Sequence, residues 1–389
     1  MSARNKKTII GLTGNIATGK TVVRRMLGHL GAYTIDADAL THRIMAPDGP
    51  GYQPIIHEFG KFILDQDGSI NRQRLGKLVF TDPEALSALE AIIHPYVRKA
   101  VDYLIKNAKQ NVIVVEAIKL LESPLKDQAD VIWVTTSSQD NQLARLSAKR
   151  GMSAAESRQR MASQSPPSEK IAAADLVISN DGSFENTWQQ VLAGWEQLFP
   201  EDAAADPETE QAESIVSQAD LSAVKLEEMR TERAKPRQAE DIARFINRHS
   251  GRKETLTRMD VMALFGEKAF MLLYAQKQLA GVVGWQVENL VARVNEVYID
   301  ETINQPAALR ALMKAIEQAS KELQAEALLV FVDPVQAADT TLWQPLDYMI
   351  HTIEQLEIDA WKEAARESQP PDTLIFFKQL RIDRVLRPI

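Results

Sequence analysis

Residues 8–27 read TIIGLTGNIATGKTVVRRML, and this stretch decides the fold of the first half of the chain. An apolar, β-branched run comes first and predicts a buried strand, and apolar residues at helical spacing come last. Between them, GNIATGKT at residues 14–21 fits the pattern G-x-x-x-x-G-K-[ST] at every fixed position. A strand, a glycine-bounded loop and a helix in this order predict a loop that binds phosphates.

This phosphate loop carries its own binding groups. Its two glycines can adopt backbone conformations that other residues resist, so the loop amides can converge on an anion. Lys20 is expected to reach the terminal phosphates of a nucleotide, and the Thr21 hydroxyl is expected to hold Mg²⁺. The residues expected to bind the nucleotide phosphates are Gly14, Asn15, Ile16, Ala17, Thr18, Gly19, Lys20 and Thr21.

Length and composition set outer limits on the function. A chain of 389 residues exceeds a single typical core, which favours two domains. The net charge of -8 argues against general binding to nucleic acid or to an anionic membrane. The chain has no cysteine, so disulfides and thiolate chemistry are excluded, and its apolar runs are too short to span a bilayer. These features favour a cytoplasmic protein.

Two aspartates follow a second short strand. Asp36 and Asp38 would point to the same side of an extended segment, because side chains alternate along a strand. At the carboxyl end of a strand beside the phosphate loop, they could serve a hydroxyl nucleophile or Mg²⁺. The alternative is a helix cap, with Asp38 preceding the helical run that starts at Ala39. The pattern alone leaves both interpretations open.

The rest of the first half alternates strands with helices. Strands are expected at 111–115, 129–134 and 174–179, which predicts a doubly wound parallel sheet with its ligands at the carboxyl ends of the strands. Pro95 is expected to interrupt a helix at His94. The basic helix at 142–150, which includes Arg145 and Arg150, is either a solvated face or a lid over phosphates.

Residues 8–199 resemble the dephospho-CoA kinase family, whose fold is an α/β sheet of the P-loop nucleoside-kinase type. The resemblance rests on the order and spacing of seven motifs. They are GLTGNIATGKT at 11–21, IDAD at 35–38, LEAIIHP at 89–95, EAIKLLES at 116–123, QLARLSAKRGMS at 142–153, MASQ at 161–164 and ADLVISNDG at 174–182.

The resemblance implies transfer of the γ-phosphoryl group of ATP to the ribose 3′-hydroxyl of dephospho-CoA, with Mg²⁺. Asp38 matches the family's general base, while Asp36 and Thr21 are assigned to the metal. Lys20 and Arg145 match the residues that stabilise the transferring phosphoryl group, and which aspartate is the base stays open. The remaining matches are Arg150 as a second basic lid residue, and Asn180 and Gly182 in the turn against the adenine.

Three departures from the family pattern accompany these matches. Asn15 and Ala17 stand where the family usually has glycine. Residues 116–119, EAIK, replace an aspartate and a proline-leucine pair, and residues 166–167 are a proline pair that could change how the lid hinges.

The second half has a different character. Residues 200–220 are expected to be an acidic linker between domains at 1–199 and 221–389. A helix, antiparallel strands, a long helix and a further strand resemble the GNAT acyltransferase fold, an α+β domain. At the cofactor loop of that family this chain has QPAALR at 305–310, which lacks glycine and contains Pro306. We therefore expect a GNAT-like relative that has lost acetyl transfer, with its ligand or protein partner left open.

Three functions remain for the whole chain. The first is a dephospho-CoA kinase, favoured because the loop lysine, the aspartate and the lid arginine occur together. The second is a regulator that senses ATP or CoA without turnover. The third is another P-loop small-molecule kinase with a different acceptor.

Overall fold

The computed structural model describes residues 7–200, 228–250 and 255–381, except for the side chains at 80, 149, 150 and 340. The expected linker at 200–220 lies outside the described residues from position 201 onward, so the domain boundaries stay a prediction. Two β-sheets organise the described chain, one in each half.

The first sheet has five parallel strands in the order β2-β3-β1-β4-β5. The strand that leads into the phosphate loop is therefore central, which explains why its residues are apolar on both faces. The strands are β1 (Thr8–Thr13), β2 (Tyr33–Asp36), β3 (Val112–Glu116), β4 (Val131–Thr136) and β5 (Leu176–Ser179). The helices are α1 (Lys20–His29), α2 (Ala37–Ile44), α3 (Tyr52–Phe59), α4 (Arg72–Thr81), α5 (Pro83–Asn107), α6 (Gln139–Arg150), α7 (Ala154–Ala162), α8 (Pro167–Ala172) and α9 (Phe184–Leu198).

Helices cover both faces of this sheet, which confirms the doubly wound expectation. On one face, α1 and α9 bury Val23 and Val191 against the strands. On the other face, α2 and α5 bury Leu40 and Val101. The expected interruption at His94 is wrong, because α5 is a continuous helix of 25 residues that includes Pro95. Burial of the helix on both sides of the proline outweighs the loss of one backbone hydrogen bond.

The second sheet has seven strands in the order β11-β12-β10-β9-β8-β7-β6. Only β9 and β10 run parallel; every other neighbouring pair among the described strands is antiparallel. The strands are β6 (Met229–Arg233), β7 (Ala269–Ala275), β8 (Gln278–Glu288), β9 (Val291–Ile299), β10 (Ala327–Val332), β11 (Met349–His351) and β12 (Leu374–Gln379). The helices are α10 (Ala239–His249), α11 (Arg258–Phe265), α12 (Gln305–Glu322), α13 (Pro334–Ala337), α14 (Thr340–Trp343) and α15 (Asp359–Ser368).

This second half is the α+β unit that the sequence predicts. Helix α12 packs its apolar stripe on one face of the sheet, and α10 and α11 pack on the other. Two-residue turns join β7 to β8 and β8 to β9, and both residues of each turn have positive φ. Such turns match the twist of the strands they connect.

The two halves are in contact through charged side chains. Arg43 of α2 forms an ion pair of 2.9 Å with Glu326, and these two side chains are 6% and 0% exposed. Arg43 also donates to the carbonyl of Asn289. Arg25 of α1 donates to the carbonyl of Gly266 and pairs with Glu288. The junction therefore uses the helix that follows the phosphate loop.

Candidate active site

The phosphate loop has the geometry that its glycines predict. Gly19 has φ 96° and Gly14 has φ 153°. A Cβ at Gly19 would lie 1.8 Å from Nδ2 of Asn180, and one at Gly14 would lie 2.4 Å from Oγ1 of Thr135. Both positions exclude any side chain, so the loop can close tightly over the carboxyl end of β1.

Ala17 is the unusual residue of this loop. Its φ is 59°, in the left-handed region where a Cβ costs about 1–2 kcal/mol. The family pattern usually has glycine here. The substitution therefore places a strained residue inside the phosphate loop, and the surrounding contacts must hold it there.

The phosphate loop also contacts residues 164–165, which connect α7 to α8. The backbone amide of Ile16 donates to Oε1 of Gln164 at 2.8 Å, and Nδ2 of Asn15 donates to the carbonyl of Ser165 at 3.0 Å. One loop amide is thus already bonded to a side-chain oxygen, in the way it would bond to a phosphate oxygen. A cavity of about 320 Å³ opens beside this contact, and Arg158 lines it.

Lys20 and Thr21 stand at the first turn of α1. Lys20 is buried and its Nζ donates to the carbonyl of Asn15 at 3.2 Å. The hydroxyl of Thr21 lies 3.4 Å from Oε1 of Glu116 at the end of β3. Glu116 in turn accepts from Nε of Arg24 at 2.5 Å. A buried carboxylate that the sequence analysis did not assign to the metal therefore stands next to the hydroxyl assigned to Mg²⁺.

The structure separates the roles of the two aspartates. Asp36, not Asp38, is the N-cap of α2, and its Oδ1 accepts from the amide of Ala39 at 2.9 Å. The expectation of a shared extended segment is wrong, because β2 ends at Asp36 and Asp38 already lies in the helix. Oδ2 of Asp36 is 3.4 Å from the guanidinium of Arg24. Asp38 does not cap the helix, and its carboxylate lies near the Ile118 amide and the charge of Lys20.

Asp38 is a carboxyl group with a shifted proton affinity. Its Oδ2 accepts from the amide of Ile118 at 3.1 Å. Burial and the nearby charge of Asp36 raise the pKa of Asp38 to about 6, while the Ile118 amide and the Lys20 charge oppose the rise. A carboxyl group with its pKa near neutrality, within reach of the phosphate-loop lysine, is suited to general-base work.

Arg145, which the resemblance assigns to a lid, contacts the phosphate loop. Arg145 donates to the carbonyl of Ala17 at 3.1 Å and to that of Asn180 at 2.5 Å. Asn180 is buried, and its Nδ2 donates to the carbonyl of Thr18. Arg145 and Asn180 therefore meet at the phosphate loop. The side chain of Arg150 lies outside the described residues, Gly182 is exposed in the following turn, and the adenine contact of that turn stays a prediction.

Sequence reasoning missed Lys170. This residue of α8 is only 2% exposed, and its Nζ donates to the carbonyl of Ile118, the residue whose amide holds Asp38. Burial lowers the pKa of Lys170 below its ordinary value. A single lysine in a short polar helix gives no sequence signal for burial, because the burial comes from the packing of α8 near β4.

No helix among the described residues is both long and apolar enough to cross a membrane. The same residues contain no group of three or more histidine, aspartate or glutamate side chains arranged to hold a metal ion.

Comparison with known proteins agrees with this geometry. A family model described as dephospho-CoA kinase matches residues 8–186. A dephospho-CoA kinase of Symbiobacterium thermophilum is 42% identical over 190 residues, which cover 48% of this chain and 80% of that protein. One from Carboxydothermus hydrogenoformans is 43% identical over 187 residues, 47% of this chain and 91% of that protein.

Two solved structures are each similar to part of the chain. A dephospho-CoA kinase from Campylobacter jejuni is 25% identical and covers 50% of this chain and 99% of its own, with a TM-score of 0.38. A putative acetyltransferase from Salmonella typhimurium is 11% identical and covers 40% of this chain and 96% of its own, with a TM-score of 0.32. Through its first half, the chain belongs to the dephospho-CoA kinase family and is a phosphotransferase.

Proposed function

We propose that the first half transfers the γ-phosphoryl group of ATP to the ribose 3′-hydroxyl of dephospho-CoA. One observation carries the proposal: Lys20 follows β1 through the phosphate loop and Asp38 lies in the first turn of α2 after β2, so both lie at the carboxyl edge of the same parallel sheet. Phosphoryl transfer requires the acceptor hydroxyl at the general base and the γ-phosphate at the lysine to be held next to each other, and this arrangement allows it. Membership of the family supports the choice of acceptor.

The residues of the site divide the work. Asp38, when ionised, orients the acceptor hydroxyl and takes its proton. Lys20 and Arg145 exchange their present carbonyl partners for phosphoryl oxygens. Their positive charges then stabilise the negative charge that these oxygens carry in the transition state. The Ile118 peptide holds Asp38 through its amide and Lys170 through its carbonyl, so backbone atoms position both groups. This explains how the site tolerates the unusual residues at 116–119.

The metal assignment rests on the chemistry of the oxygen donors. The hydroxyl of Thr21 and the carboxylate of Glu116 are hard oxygen ligands within 3.4 Å of each other, which fits Mg²⁺. We propose that Thr21 holds the ion, which when bound neutralises charge on the phosphates. Asp36 as a metal ligand stays a prediction. Its two carboxylate oxygens already contact the Ala39 amide and Arg24, so one of these contacts would have to be given up.

The second half is proposed to be GNAT-like without acetyl transfer. The strand order with a single parallel pair, β9 and β10, supports the fold. At the start of α12, Pro306 lacks an amide and the Ala307 amide already bonds to the side chain of Asn304. Two of the first amides are thus unavailable to a pyrophosphate. We propose that this half binds a ligand or a protein partner. For the whole chain we propose a cytoplasmic location and no nucleic-acid or membrane partner, and this part rests on composition alone.

The direct test is turnover. The full chain is incubated with ATP·Mg and dephospho-CoA, and ADP and the phosphorylated product are followed by chromatography. Product that depends on dephospho-CoA supports the proposal. Nucleotide binding without turnover would favour the regulator, and ADP release only with another alcohol would favour a different P-loop kinase.

A further inference from the structure

A small cavity lies where the two halves meet, on the far side of α1 from the phosphates. Its volume is about 60 Å³, which exceeds the space of about 10–15 Å³ that one water needs and leaves room for a small anion. Side chains of both halves line it: Arg24, Arg25 and His29 come from α1, and Arg233, Lys268, Trp285 and one acidic residue, Glu267, come from the second half.

Arg233 distinguishes this cavity from an ordinary charged junction. Arg24, Arg25 and Lys268 each pair with a carboxylate, Glu116, Glu288 and Glu296 respectively. Arg233 has no hydrogen-bond or ion-pair partner within residues 7–200, 228–250 and 255–381. The residue is half-buried, its Nε is shut off from solvent, and burial lowers its pKa to about 10. A buried guanidinium N–H without an acceptor is costly, and an anion is an acceptor that also matches the positive charge of Arg233.

His29 defines what else the occupant must offer. Its Nε2 lies 2.7 Å from the carbonyl of Phe265, so that nitrogen carries the hydrogen and Nδ1 carries a lone pair. Burial, reinforced by the charge of Arg233, lowers the pKa of His29 to about 3, so the ring is neutral. Its Nδ1 is buried without a partner and therefore requires a hydrogen-bond donor.

Trp285 adds the opposite requirement. The guanidinium of Arg233 lies over its ring at 5.7 Å, and its Nε1–H is buried without an acceptor. The cavity thus contains two groups that need an acceptor, Arg233 and Trp285, and one that needs a donor, His29. Among small anions, a phosphate that keeps one proton offers both on one tetrahedral centre.

We propose that this cavity is a second oxyanion site, which binds free monohydrogen phosphate. The P–O–H group donates to Nδ1 of His29, and the unprotonated oxygens accept from Arg233 and Trp285. Sulfate has the same shape but no proton at neutral pH, so it leaves His29 without a donor. The site is separate from the phosphate loop and requires both halves of the chain.

The test is a calorimetric titration of the full chain with inorganic phosphate. Lys20→Ala serves as the background, because it weakens the phosphate loop's own affinity for the anion. We expect one phosphate per chain, with sulfate weaker by about 10-fold or more. Arg233→Met in the same background should weaken phosphate by about 10-fold or more, the effect of one lost charge-assisted hydrogen bond. Glycerol 3-phosphate, which mostly lacks a P–O–H group at pH 7.5, should bind more weakly than inorganic phosphate, and equal affinity would count against the role of His29.

The matched control is Arg230→Met, an exposed arginine of the same strand that pairs with Glu232 and should leave binding unchanged. Absence of saturable phosphate binding in the Lys20→Ala chain would overturn the proposal, as would equal affinity before and after Arg233→Met. Sulfate binding as tight as phosphate would refute the role of His29. If circular dichroism shows that Arg233→Met is unfolded, Trp285→Phe replaces it, and unchanged phosphate affinity there counts against the site.

Discussion

Asp38→Asn should make the protein more stable while removing most of its activity. Asparagine keeps an acceptor for the Ile118 amide but cannot take a proton or carry a charge. Turnover should fall by about 10²–10⁴, the usual contribution of a general base. The gain in stability follows from the environment that raises the pKa of Asp38, since burial and the charge of Asp36 both penalise the ionised form.

The size of that gain comes from the pKa itself. The pKa of Asp38 rises from 3.8 to about 6, and each unit corresponds to about 1.4 kcal/mol. Because the carboxyl group is half-buried and partly screened, we expect a gain of about 1–3 kcal/mol in the free energy of unfolding. The folded-state pKa is the higher one, so the cost of ionisation is fully present above pH 6. The gain should therefore shrink as the pH falls from 6 towards 4.

Urea unfolding of both proteins at pH 7.5 and at pH 4.5, together with ADP release at pH 7.5, measures these effects. Asp67→Asn is the control, because hydrogen bonds from Ser69 lower the pKa of the exposed Asp67 and its replacement should not stabilise the fold. A destabilised Asp38→Asn protein at pH 7.5, or a gain that does not change with pH, would refute the electrostatic reasoning. Activity close to that of the unchanged chain would refute the base assignment.

Three further predictions concern other parts of the chain. Lys20→Ala should reduce ADP release by at least about 100-fold with an unchanged far-ultraviolet spectrum, and activity similar to the unchanged chain would contradict the phosphate-loop assignment. Ala17→Gly should raise stability by about 0.5 kcal/mol, because relief of the left-handed strain exceeds the entropy that glycine costs. The same change at Ala173, with φ -94°, should lower stability, and equal losses in urea titrations would argue against strain at Ala17. Arg43→Met should lower the free energy of unfolding by about 1.5–3 kcal/mol, because the buried Glu326 loses the charge-assisted hydrogen bond from Arg43, and a double-mutant cycle with Glu326→Leu that shows no coupling would show that the junction does not form in solution.

Glycine positions and hydrophobic periodicity were sufficient to predict much of the secondary structure of the first half. The loop at residues 14–21, the central apolar strand before it and the helix after it follow from glycine positions and periodicity, and the structure contains all three. The position of the helix cap did not follow. Serine, threonine, aspartate and asparagine all cap well, and Asp36 and Asp38 are equivalent by that rule. The end of β2 at Asp36 decides between them, and strand pairing with β3 sets that end.

Contacts between distant parts of the chain could not be predicted. Lys170 is buried because α8 packs near β4 and brings its Nζ to the carbonyl of Ile118, and Arg43 is buried because Glu326, 283 residues away, reaches it. Hydrophobic periodicity carries no information about such pairs, since both partners are polar residues on predicted surfaces. The continuation of α5 through Pro95 has the same origin, because packing overrides a local preference.

Helix α1 has one end at the phosphate loop and its later turns against the second half. Thermodynamic linkage then applies: if an occupant of the junction alters the affinity for ATP by some factor, ATP alters the affinity for that occupant by the same factor. A change in the second half that shifts this helix would alter nucleotide affinity without touching a nucleotide-binding residue. Selection on the kinase therefore extends to the residues of the second half that hold Arg25 in place, Gly266 and Glu288.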